Sequence, residues 1–160
     1  HLDRQHMEQE LRINAALGNS VRNFNYLELN LGLCLRSLEN PGSPEDSHSY
    51  LNRAGLPQTI ERLTQLLDEC EQVPDTSEFQ DWAKRAEESR LLRNYYAHAT
   101  WEYLPLRNEA PLGFRIPPWR KELIKGNHRG TMRIEDLEAD AYRIETTFNE
   151  FMKIRKKYRM

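Results

Sequence analysis

The sequence predicts an all-α fold, an antiparallel bundle of four to five helices with a loop or short hairpin excursion before the last one. Three observations carry this prediction. Apolar residues recur at intervals of three and four over long stretches, which is the helical period. Clusters of proline and glycine separate those stretches. The balance of 30% charged to 38% hydrophobic residues suits helices with long solvated faces. At 160 residues the chain fits one domain over positions 1–160, and it can bury a core without a metal or disulfide staple.

The first helix is expected from about Gln5 to Glu39. Leu17, Val21, Phe24, Leu31, Leu35 and Leu38 form its stripe, widened by Leu27 and Cys34. Asn40-Pro41-Gly42-Ser43-Pro44 ends it, because proline cannot continue the hydrogen-bond ladder and glycine suits the exit turn. A second helix starts near Pro57, carries Ile60, Leu63, Leu66, Leu67 and Cys70, and stops before Pro74. Asp75-Thr76-Ser77-Glu78 then reads as a cap, with acidic groups at the positive end of a third helix. That helix carries Phe79, Trp82, Ala86, Leu91 and Leu92, and runs into Arg93-Asn94-Tyr95-Tyr96-Ala97-His98.

Between Trp101 and Gly130, Pro105, Pro111, Gly113, Pro117, Pro118 and Gly126 exclude a long helix. Within this excursion Trp101-Glu102-Tyr103-Leu104 and Gly113-Phe114-Arg115-Ile116 are expected to pair as a short hairpin. The last helix follows, with Ile134, Leu137, Ala141, Ile144, Phe148 and Phe151 on its buried side.

Charge narrows the function. With 23 Lys and Arg against 25 Asp and Glu, the formal net charge is −2, which does not suit bulk electrostatic coating of nucleic acid. A local basic patch stays open. The closing run Lys153-Ile154-Arg155-Lys156-Lys157-Tyr158-Arg159 has five basic residues and no acid. Lys156 and Lys157 can guide RNA phosphates, or simply complement the negative end of a helix dipole. Cys34 and Cys70 are expected as buried free thiols, since neither belongs to a metal-ligand spacing. No cofactor and no metal are expected. No apolar run approaches a membrane span and no signal peptide is visible, so the cytoplasm is the expected compartment, although the chain opens on His1 rather than Met. His48 and His128 stand alone in loop-like segments.

One segment has the chemistry of a site. On a helix, Asn94 and His98 share a face at the i, i+4 spacing, and Arg93 lies about 140° around from His98. An imidazole that titrates near neutrality can move a proton, a guanidinium can stabilise charge on phosphate oxygens, and an amide can orient the nucleophile. Together these groups suit cleavage of RNA phosphodiesters without a divalent metal. Tyr95 and Tyr96 can stack on bases or pack against neighbouring helices.

Arg93-Asn94-Tyr95-Tyr96-Ala97-His98 resembles the signature of the HEPN superfamily, an Arg followed by a polar residue and, after a short gap, a His, late in a helix of a helical bundle. The resemblance implies a metal-independent endoribonuclease, often a toxin or antiviral effector, with Arg93 and His98 catalytic and Asn94 assisting. It also implies a homodimer in which two copies of the motif form one composite cleft, and an antitoxin protein as a possible partner. It covers the bundle pattern and these six residues, and has no equivalent for the Trp101–Gly130 excursion. Two other readings stay open: a non-catalytic helical module that binds RNA, a nucleotide or a protein, and a dimeric scaffold in which Arg93 belongs to an ion pair.

Overall fold

The computed structural model describes residues 2–39, 51, 53–107, 109–120 and 128–160. The Asn40–Pro44 breaker, His48 and Gly126 lie outside these residues. Among the described residues there are four helices: α1 (Leu2–Glu39), α2 (Leu56–Asp68), α3 (Ser77–His98) and α4 (Ile134–Tyr158). Between α3 and α4 lie strands β1 (Thr100–Tyr103), β2 (Leu112–Arg115) and β3 (Arg129–Met132). These form an antiparallel sheet in the order β1-β2-β3. The chain is therefore mostly helical but not a pure all-α bundle, because the expected excursion is a three-stranded sheet.

The helix ends follow from local chemistry. Pro57 sits in the first turn of α2, where its missing N–H is not needed, and Gly55 precedes that turn in an extended conformation. At the start of α3, the Asp75 carboxylate accepts from the Ser77 N–H at 2.9 Å, and the Thr76 carbonyl accepts from the Gln80 N–H at 3.0 Å. The hydrogen bonds from Ser77, with a smaller contribution from the Lys157 charge, hold the Asp75 carboxyl below its usual range. α4 opens on Glu135 and Asp136 and closes on Arg155, Lys156 and Lys157, so both ends complement the dipole.

The chain divides into two compact units, His1–Arg22 with Leu91–Glu145, and Asn23–Arg90 with Thr146–Met160. In the second unit, Trp82 is fully buried, with ring centroids 5.5 Å from Phe79 and 4.9 Å from Phe151. Its indole N–H donates to the Thr147 carbonyl at 2.9 Å. Phe24, Leu27, Leu31 and Leu35 of α1 and Leu63 and Leu67 of α2 are buried in the same unit. Val21, expected in the α1 stripe, is 38% exposed. It stands about 60° outside Phe24 on the helical wheel, at the rim of a stripe that narrower spacing would have kept inside. Cys34 is buried and Cys70 half-buried, both as free thiols.

The first unit packs Ile13 and Ala16 of α1, Tyr96 of α3, Leu112 of β2 and Ile134, Leu137 and Ala141 of α4 into one apolar cluster. The sheet supplies its inner face to this cluster. Register places Trp101 opposite Phe114 and Phe114 opposite Gly130, and likewise Tyr103 opposite Leu112 and Leu112 opposite Met132. Residues directly opposite share a face, so one side of the sheet is a block of aromatic and aliphatic side chains. The expected hairpin occurs one residue earlier on both strands. Leu104 leaves the ladder there, and its N–H closes the loop onto the Pro111 carbonyl at 2.6 Å. β3 was not expected, because only Met132 of its four residues is partly covered and it shows no alternation.

Candidate functional site

The Arg93–His98 segment forms the last turn and a half of α3, inside the first unit. At 100° per residue, the six positions and the preceding Leu92 separate into two arcs. Leu92, Tyr95 and Tyr96 occupy about 100° of the wheel and face the core cluster. Arg93, Ala97, Asn94 and His98 occupy the adjoining arc of about 140°, in that angular order. Ala97, between Arg93 and the Asn94–His98 pair in angle, is exposed and presents only a methyl group. Those three residues are half-buried. The Nε atom of Arg93 is sealed from solvent, and its side chain is engaged by a neighbouring group.

The opposite arc fixes the orientation of the helix end. Tyr96 is 5% exposed, and its hydroxyl donates to the Asp140 carboxylate of α4. Burial first, and then this carboxylate, push the Tyr96 phenol far above its usual range. The Trp101 indole N–H donates to the Tyr96 carbonyl at 3.1 Å, and the two rings lie 5.4 Å apart. That bond stitches the first strand back onto the last helical turn. The half-buried ring of Tyr95 is edge-on to Phe114 at 5.5 Å and to Tyr96 at 5.7 Å, and burial raises its phenol as well. Both tyrosines thus do packing work, and the Tyr96 ring has no open face for a base.

Lys156 and Lys157 belong to the second unit. Both are exposed, and Lys157 is ion-paired with Glu78, which raises its ammonium above the usual range. The sequence reading did not pick out the outer face of the sheet. There Thr100 of β1 stands opposite Arg115 of β2, and Arg115 stands opposite Arg129 of β3. All three are exposed. The row starts two residues after His98, but only strand register reveals it, since Arg115 and Arg129 are far apart in sequence.

A cleft of about 470 Å3 also lies in the first unit, lined in part by His6, Arg12, Tyr103 and Glu109. The Arg12 guanidinium donates to Glu138 at 2.7 and 2.8 Å, to Glu135 at 3.0 Å and to Gln9 at 3.1 Å. Its charge is thus matched by carboxylates of the same unit. Among the described residues, no group of three or more His, Cys, Asp and Glu could hold a metal ion. No described helix is long and apolar enough to cross a membrane.

Compared with protein-family models, curated proteins and solved structures, the chain matches none.

Proposed function

We propose that this protein is a metal-independent endoribonuclease of the HEPN type, acting in toxin or antiviral defence through a site completed by a second copy of the chain. The observation that carries the reading is the arc of Arg93, Ala97, Asn94 and His98 at the end of α3, with its opposite side tied to the core by Tyr96. The geometry supplies an imidazole, an amide and a guanidinium on one side of a rigid helix, which is what an uncharged nucleophile attacking a phosphodiester needs. The antiparallel helical bundle of that superfamily belongs to the same proposal.

In the reaction, a ribose 2′-oxygen forms a bond to the adjacent phosphorus and the bond to the 5′-oxygen breaks. One imidazole takes the proton of the 2′-hydroxyl and a second imidazole gives a proton to the departing 5′-oxygen, so two His98 side chains, one per copy, balance the step. Arg93 holds the non-bridging oxygens as charge builds on them. Asn94 is placed to orient the attacking hydroxyl. The products are a 2′,3′-cyclic phosphate and a free 5′-hydroxyl.

The test is cleavage of a structured RNA in EDTA, with product termini mapped. Wild type should cut, and His98→Ala should lower the rate by about 100-fold or more. Arg93→Ala should fall comparably, with an unchanged circular dichroism spectrum to show that the fold survives. RNA binding without cleavage by any preparation would replace the nuclease with a binding module. Full activity in His98→Ala would remove the motif from the chemistry.

A further inference from the structure

We infer that the outer face of the sheet is a phosphate-binding track for single-stranded RNA, with Arg115 and Arg129 gripping the backbone beside the cleavage site and Thr100 leading into it. The inference extends the nuclease reading to how the substrate is held, and so rests on that reading for its substrate.

The starting observation is a cost. Arg115 and Arg129 are cross-strand partners in register, and like charges directly opposite on a sheet face repel. Their Cβ atoms are held roughly 5 Å apart by the ladder. Among the described residues, neither makes an ion pair with a carboxylate within salt-bridge distance, although such pairs are common elsewhere in the chain. Glu102 shares their face but sits on the diagonal from Arg115, opposite Gly113, and makes no ion pair with it. Two exposed arginines on neighbouring strands, with no described acid paired to either, suit the oxygens of a phosphate.

The position is the second observation. Thr100 follows His98 by two residues, so their Cα atoms are at most about 7 Å apart. Its register partner Arg115 is roughly 5 Å further across the ladder, and Arg129 another 5 Å beyond that. The row therefore begins within about 7 Å of the His98 Cα and runs away from it along the strand-to-strand direction. The Thr100 hydroxyl donates to the Arg115 carbonyl at 3.2 Å, which fixes the near end of the row. Arg12 is already held by two carboxylates, whereas Arg115 and Arg129 form a cationic pair whose register neighbour Thr100 lies two residues from His98.

The experiment measures binding of an uncleavable 2′-O-methyl oligonucleotide by the full chain as salt is varied. Each phosphate contact on a single strand contributes about 0.7 to the slope of log Kd against log salt. Arg115→Gln with Arg129→Gln should therefore weaken binding by about tenfold or more at low salt and reduce the slope by about 1.4. The same double variant should melt at or above the wild-type temperature, because it removes a repulsion; this separates loss of binding from loss of folding. An unchanged slope in a folded variant overturns the track, even if wild type cleaves RNA. A reduced slope with no cleavage by wild type upholds the track and sinks the nuclease reading instead. Wild type that fails to bind the oligonucleotide at low salt overturns the track outright.

Discussion

Replacing Tyr96 by Phe removes one oxygen and leaves the ring in place, so the loss of its bond to Asp140 can be isolated. A hydrogen bond to a charged group contributes about 1.5–3 kcal/mol. Asp140 is half-buried, so water can partly replace the lost donor, and the lower part of that range, about 1.5–2 kcal/mol, is expected at pH 7. The loss should depend on pH in a defined direction. The Tyr96 phenol is pushed well above its ordinary 10.0 in the folded chain, chiefly by burial and then by the carboxylate. Below pH 10 both folded and unfolded states keep the proton, and the full contribution is present. Above it the unfolded chain ionises first, so the stabilisation is lost as pH rises, by about 1.4 kcal/mol at pH 11. Tyr96→Phe has no such group, so the gap between wild type and variant should narrow to about 0.1–0.6 kcal/mol by pH 11. Urea titrations followed by far-ultraviolet circular dichroism at pH 7, 9 and 11 measure this, with all other titrations common to both proteins. A gap below about 0.5 kcal/mol at pH 7, or one that stays constant to pH 11, would refute the anchoring role assigned to Tyr96.

Other outcomes follow from the packing. Gly130→Ala places a methyl 2.9 Å from Phe114 Cζ and 3.2 Å from Cε1, so the ring must shift; urea unfolding should show a loss of about 1–2 kcal/mol. Trp82→Phe loses the bond to the Thr147 carbonyl and leaves a gap between Phe79 and Phe151, and should cost about 2 kcal/mol in the same assay; a loss under 0.5 would contradict the burial seen here. Burial pushes the Cys34 thiol up, so a thiol-specific reagent at pH 8 should label half-buried Cys70 first and reach Cys34 only through unfolding; equal rates would refute it.

The helices were legible because each carries its own period and its own breakers. Leu63 and Leu67, or Ile134, Leu137, Ala141 and Ile144, are spaced so that no other local structure buries them together. The Asp75–Glu78 cap and the acidic start of α4 likewise act within a few residues of themselves. The six motif residues and their face could be placed for the same reason, since helical angle depends only on sequence spacing.

What the sequence by itself determined is thus the local part: the four helices to within a few residues of their ends, two free thiols and the polar face of Asn94 and His98, although Cys70 falls beyond the end of α2. Tertiary structure decided the rest. Whether Tyr96 faces a base or a carboxylate depends on Asp140, 44 residues away. The Arg115–Arg129 row depends on the register of two short strands, and β3 carries no apolar alternation to announce itself. Contacts between distant segments are set by how several faces are buried at once, and no residue's spacing to its neighbours encodes that.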